Sequence, residues 1–173
     1  MNLILVNEKD ERTGTMEKME VHQKALLHRA FSIFIFNSKG DMLLHQRALN
    51  KYHSAGLWTN ACCSHPIDGH EIMATATKRL QEEMGFTTPL QKAFNFTYKA
   101  ALGNGLTEHE YDHVFIGYYD GEINPAKDEV KDFCFVSMEG LKIAIQTHPQ
   151  KYTEWFKIAF PKVEEYLAVH AAR

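Results

Sequence analysis

A chain of 173 residues, 45% hydrophobic and 24% charged, has the composition of an ordinary globular protein and excludes a disordered one. At that length it can bury roughly two-thirds of the surface its unfolded form exposes, so no disulfides are needed to hold it. A formal net charge of −3 argues against a duplex nucleic-acid binder, which carries a basic face. Any anionic ligand then has to meet a local cluster of Lys and Arg. Residues 1–14 contain an apolar run far shorter than a signal-peptide core, and no later window reaches the roughly 20 apolar residues of a membrane span. Three cysteines, two of them adjacent, make a poor disulfide framework. The expectation is one cytoplasmic domain spanning 1–173, with reduced thiols and no membrane or nucleic-acid partner.

In chain order, Phe31 to Phe36 and Met42 to Arg47 read as strands joined by Asn37-Ser-Lys-Gly40, a hairpin signal. Leu57 to Cys63 reads as one further short strand. From His70 to Met84 the apolar positions 72, 73, 76, 80 and 84 predict a helix, with Asp68 as its cap and Gly85 as its stop. Phe94 to Ala101, Tyr111 to Tyr119 and Lys131 to Met138 are rich in aromatic and β-branched residues, as strands are. Glu139 to Arg173 reads as helical, with Pro149 dividing two helices and Pro161 kinking the second. Local strand connections around one central helix imply an α+β fold, a mixed sheet flanked by helices.

The densest chemistry lies in Trp58-Thr-Asn-Ala-Cys-Cys-Ser-His-Pro66. In an extended segment Cys63 and His65 share a face while Cys62 points the other way, so only one of the paired thiols can join a site with His65. Burial as two small hydrophobes is the competing reading. In Thr107-Glu-His-Glu-Tyr-Asp-His113 the same alternation sets Glu108 and Glu110 side by side, where two carboxylates repel unless a cation or a shared proton intervenes. An exposed acidic edge is the alternative there. His22 and His28 lie six residues apart, off a single helical face, so a shared role requires a turn between them. His45, His53, His70, His148 and His170 read as surface or satisfied core residues. Together His22, His28, His65, Glu108 and Glu110 form a mixed nitrogen and oxygen set suited to Mn²⁺, Zn²⁺ or Fe²⁺ more than to Ca²⁺. Arg47, Lys51 and Lys78-Arg79 offer phosphate-binding capacity, although Arg79 and Glu83 are also spaced for a surface ion pair. Glu83 equally suits Mg²⁺ bridging to phosphate.

The ordered series Gly14-Thr-Met-Glu-Lys18, Leu27-His-Arg-Ala-Phe-Ser32, Gln46-Arg-Ala-Leu-Asn-Lys51, Trp58 to Pro66 and Glu108-His-Glu110 resembles the type I isopentenyl-diphosphate isomerases over nearly the whole chain. The resemblance implies a Nudix-like mixed sheet flanked by helices and a small prenyl diphosphate substrate, with monomer and homodimer both open. It makes His22, His28, His65, Glu108 and Glu110 the ligands of a tightly bound Mn²⁺ or Zn²⁺. It makes Cys63 and Glu110 the proton-transfer pair beside Tyr98, and Lys18, Arg47, Lys51 and Arg79 the diphosphate holders. Glu83 becomes the residue associated with Mg²⁺, and Trp155 the cover over the hydrocarbon end. Two departures stand out. Arg79-Leu-Gln-Glu-Glu-Met-Gly85 lacks the first Glu of the Nudix box, and Cys62 is an extra thiol beside Cys63.

The reaction implied adds a proton to an unactivated terminal alkene and removes another two carbons away, passing near a tertiary cation. It needs an acid and a base on opposite sides of the chain, shielded from water. The first assignment has Glu110 donating and Cys63, as thiolate, accepting, with the reverse left open. A Nudix hydrolase of a nucleoside diphosphate derivative is the main alternative, and a metal-responsive binding module the non-enzymatic one.

Overall fold

The computed structural model describes residues 1–171. Nine strands form one mixed, curled sheet: β1 (Asn2–Val6), β2 (Arg12–Glu17), β3 (His28–Phe36), β4 (Met42–Arg47), β5 (Trp58–Thr59), β6 (Cys62–Ser64), β7 (Leu90–Gly103), β8 (Leu106–Tyr118) and β9 (Val130–Val136). Four helices flank it: α1 (Lys18–Lys24), α2 (Ile72–Met84), α3 (Met138–Thr147) and α4 (Glu154–Ala171). The expected α+β architecture is the observed one. No helix among the described residues is long and apolar enough to cross a membrane.

Strand β3 is the centre of the sheet. It runs parallel to β8 and antiparallel to β4 and β6. Its alternation is apolar on both faces, as a strand covered on both sides requires. Phe31, Ile33 and Ile35 pack with Cys62, Ala76, Leu80 and Met84, so α2 lies on that face. Phe34 and Phe36 pack with Val114, Phe156, Phe160 and Val163, so α4 lies on the other.

Several local expectations are corrected. The segment 57–63 is not one strand: β5 pairs with β4, β6 pairs with β3, and the chain breaks between them at Asn60 and Ala61. The cause is the Asn60 side chain, which turns inward and donates to the carbonyls of Ile33 (2.9 Å) and Cys62 (3.0 Å). Helix α2 starts at Ile72, capped by Glu71, whose carboxylate accepts from the amides of Met73 and Ala74. Asp68 instead pairs with Arg12, at 2.9 and 2.8 Å. Gly85 does stop the helix, in the left-handed conformation at φ 77°. A side chain there is excluded, since a Cβ would lie 2.2 Å from the Asn124 carbonyl oxygen. Strands β7 and β8 are longer than expected, which places Glu108 and Glu110 inside β8. The β1–β2 hairpin and α1 were not expected. Leu3, Ile4 and Val6 are buried there, a short apolar run serving as a strand. Helix α4 runs through Pro161. The helical expectation for Ala172 and Arg173 lies outside the described residues.

Candidate active site

Strand register assembles the site. Across the sheet, Tyr98 on β7 stands opposite Glu110 on β8, and Glu110 stands opposite His28 on β3. Directly paired residues bring their side chains within contact, so one row of the sheet supplies a phenol, a carboxylate and an imidazole. One repeat along β8, Glu108 shares the face with Glu110, as alternation requires. Across β3, Ser32 stands opposite Cys63 on β6. The turn expected between His22 and His28 exists: α1 ends at Ala25, in the left-handed region at φ 54°, and the chain re-enters the sheet at His28.

His22, His28 and His65 each offer a ring nitrogen within 4.8 Å of the other two. Glu110 Oε2 lies 3.2 Å from Nε2 of both His28 and His65, and Glu108 Oε1 lies 4.0 Å from His22 Nε2. All five residues are buried. Nδ1 of His22 meets the Lys18 carbonyl at 2.7 Å, and Nδ1 of His28 meets the Leu26 carbonyl at 3.0 Å. A carbonyl can only accept, so each Nδ1 carries the hydrogen and each Nε2 is the ring nitrogen turned to the cluster, donating to a carboxylate when protonated and free to ligate when not. Three ring nitrogens and two carboxylates converge there, and a divalent cation is the group that such a set fits. The five residues therefore form a His/Glu cluster suited to metal.

The Tyr98 hydroxyl lies 2.6 Å from Glu110 Oε1 and 3.0 Å from Glu108 Oε2, and with one proton to give it donates to the nearer. Burial and the Glu110 charge push the Glu108 carboxyl up to about 7. Burial opposes ionisation of Glu110 too, yet the hydrogen bonds from His28 and His65 hold it well below the usual carboxylate range.

Cys63 faces the same cleft as His65, while Cys62 faces α2 and donates to Glu83 Oε2 at 2.9 Å. The alternation reading of the two thiols is thus the observed one. Cys63 donates to Asn60 Oδ1 at 3.1 Å. Its other polar neighbour, Ser32 Oγ at 3.6 Å, spends its hydrogen on Asp112 Oδ2 at 2.7 Å. Both neighbours offer the sulfur acceptors, and burial together with the Asp112 charge pushes the thiol well above its ordinary value.

The cleft, about 400 Å³, is lined by Lys18, Arg47, Lys51, Lys78 and Arg79 as well. The surface pairing foreseen for Arg79 is present, to Glu83 at 2.7 Å and Glu82 at 3.1 Å, and Lys51 pairs with Glu129. These pairs line the cleft rather than an outer face. Trp155, on the first turn of α4, is buried against the guanidinium of Arg47, 5.2 Å from its ring centre. The catalytic, ligand and diphosphate candidates of the sequence line this cleft except His28, which sits behind it in the His/Glu cluster.

Sequence reasoning missed several neighbours. His53 is no surface histidine: it packs edge-on against Trp155 (5.8 Å) and lines the cleft. His45 is a satisfied core residue, bonded to the Ala61 carbonyl at 3.1 Å, and also reaches the cleft. Burial and the Arg47 charge hold both neutral, at about 3 for His53 and about 4 for His45. Asp112 was missed although it continues the alternation of Glu108 and Glu110.

The NUDIX domain family model matches residues 26–156. Among curated relatives, "Isopentenyl-diphosphate Delta-isomerase 2" of Photorhabdus laumondii is 49% identical over 169 residues, covering 95% of this chain and 96% of its own. "Isopentenyl-diphosphate Delta-isomerase" of Serratia proteamaculans is 50% identical over 154 residues, covering 89% and 86%. In fold, the chain is similar to DR0079 from Deinococcus radiodurans (TM-score 0.78, 14% identity, 94% of this chain and 98% of the other). It is also similar to a MutT protein from Methanosarcina mazei (TM-score 0.65, 18% identity, 80% and 94%). With half of its residues shared with these relatives, the chain belongs to the Nudix family and, within it, to the isopentenyl-diphosphate Delta-isomerases.

Proposed function

We propose that the chain, as one isomerase domain, interconverts isopentenyl and dimethylallyl diphosphate, with Cys63 and Glu110 moving the protons. The observation that carries this reading is that a half-buried thiol and a buried carboxylate line one cleft together with a set of cationic residues and an indole. Lys18, Arg47, Lys51 and Arg79 hold the diphosphate, and the five-carbon chain lies beside Cys63 and Glu110 with Trp155 as its cover. The tightly bound metal is Mn²⁺ or Zn²⁺ on the three histidines, Glu108 and Glu110, while Glu83 serves Mg²⁺ carried by the diphosphate. When bound, the metal supplies a fixed positive charge that keeps the crowded carboxylates ionised.

The hydrogen-bond polarity around the two groups supports the reverse of the first assignment. Cys63 meets acceptors, so it holds its hydrogen and gives it to the terminal methylene. Glu110 meets donors, so it is the carboxylate that removes a proton from the carbon next to the diphosphate-bearing one. The new C–H bond forms from the S–H, the double bond moves by one position, and Glu110 ends protonated. The Trp155 ring face offers the intermediate cation roughly 1–2 kcal/mol in a dry site, and burial of Tyr98, Trp155 and Cys62 limits water.

The hydrolase alternative is not favoured. The relatives are named as isomerases, and the α2 sequence lacks the first Glu of the box. Incubating the protein with isopentenyl diphosphate and Mg²⁺ should yield dimethylallyl diphosphate by proton NMR. Release of phosphate from nucleoside diphosphate derivatives, without that product, would replace this reading by hydrolysis.

A further inference from the structure

Cys63 is the end of a longer hydrogen-bonded chain whose other members carry no role in the reaction as described. Thr153 caps α4: its Oγ1 accepts from the amide of Phe156 at 3.3 Å. The Thr153 hydroxyl donates to Thr59 Oγ1 at 3.1 Å, and the Thr59 hydroxyl donates to Asn60 Oδ1 at 3.0 Å. Asn60 spends both hydrogens of its amide on the carbonyls of Ile33 and Cys62, which fixes its flip and leaves only the oxygen facing Cys63. Thr59, Asn60 and Thr153 are at most 1% exposed. The hydrogens from the α4 amide to the Asn60 oxygen all run in one direction, and the Cys63 hydrogen meets them at that oxygen from the other side. A chain so polarised strengthens each of its bonds and has one arrangement of donors. It also joins two segments 94 residues apart, since Thr153 and Trp155 sit on the same turn of α4 while Thr59 and Asn60 lead into β6.

We propose that Thr153, Thr59 and Asn60 are positioning residues that lock the Cys63 sulfur to the α4 turn bearing Trp155, so that the proton donor and the aromatic cover keep one mutual geometry. The inference rests on the proton-transfer role given to Cys63 above. Breaking the chain at its far end leaves Cys63, the metal cluster and the cationic residues in place, yet lets the sulfur turn away from the alkene. A misplacement of about 1 Å of a reacting group costs up to about 100-fold in rate.

The test compares Thr153→Val, which keeps the shape and loses the hydroxyl, with Thr153→Ser, which keeps the hydroxyl, in steady-state isomerisation of isopentenyl diphosphate. The expected result is about a tenfold loss of kcat in Thr153→Val with KM within about twofold, and recovery of most of kcat in Thr153→Ser. Thr59→Val breaks the chain one link nearer the sulfur and decides the case if Thr153→Val melts below the assay temperature. The double variant Thr59→Val/Thr153→Val should cost little more than the worse single change, because one chain is broken in each. Wild-type kcat in both Val variants, or a loss confined to KM, overturns the positioning role. An inactive wild-type protein would instead overturn the isomerase reading itself.

Discussion

Replacing Glu110 by Gln separates metal retention, proton transfer and folding in one variant. The Tyr98 hydroxyl donates to Oε1 at 2.6 Å, so the Gln carbonyl must take that side. The amide nitrogen then occupies the place of Oε2, 3.2 Å from Nε2 of both His28 and His65, and offers those rings a donor where the parent offers an acceptor. An amide nitrogen that donates cannot ligate, so the cation loses its central oxygen. Loss of an outer partner alone costs metal affinity about 10- to 100-fold, and loss of a ligand should cost at least that. Loss of a general base costs a further 10²- to 10⁴-fold in kcat. The variant should therefore come through dialysis without metal, show isomerisation reduced by about 1,000-fold or more, and melt at the same temperature with and without EDTA. The parent should melt lower when stripped. Stoichiometric metal in Glu110→Gln with turnover within about tenfold of the parent would refute both roles given to Glu110.

Two further perturbations probe the scaffold. Glu71→Ala removes the carboxylate that caps α2 and should lower stability by about 1 kcal/mol in urea titration, whereas Asp68→Ala, at an exposed pair with Arg12, should leave the midpoint unchanged; the opposite ranking would restore Asp68 as the cap. His45 is held neutral at about 4 in the folded chain and returns to its ordinary 6.5 on unfolding, so the unfolded chain binds the extra proton. Its share of stability is complete above about pH 6.5 and falls away as pH drops toward 4, on the order of 3 kcal/mol. Urea midpoints of metal-free protein should follow that fall, and His45→Gln should flatten it; an unchanged slope would contradict the neutral assignment.

What was legible in the sequence is what depends on period two. Alternation alone sorted Cys63 from Cys62 and set Glu108 beside Glu110, and Gly85 marked the end of α2 because only a residue free to enter the left-handed region fits there. What stayed hidden depends on pairing between distant strands. The parallel register that sets His28 against Glu110 spans 82 residues and leaves no local pattern. Asn60 escaped notice because its work is to break a strand, and its amide reads as an ordinary strand residue until its acceptors, Ile33 and Cys62, are known. His53 was set aside on the abundance of histidines, and only the approach of Trp155 from α4 brings it into the cleft. The β1–β2 hairpin leaves a weak signal, since the apolar run of β1 is short and shows no clear period of two.

The central claim is that the Cys63 thiol and the Glu110 carboxylate share one substrate, and proton NMR of the reaction in deuterium oxide addresses it most directly. With isopentenyl diphosphate and Mg²⁺, the parent protein should place solvent deuterium in the methyl group formed from the terminal methylene. Cys63→Ala, folded and with its metal retained, should form no dimethylallyl diphosphate and exchange no deuterium into it. Turnover and labelling by Cys63→Ala at near the parent rate would contradict the account.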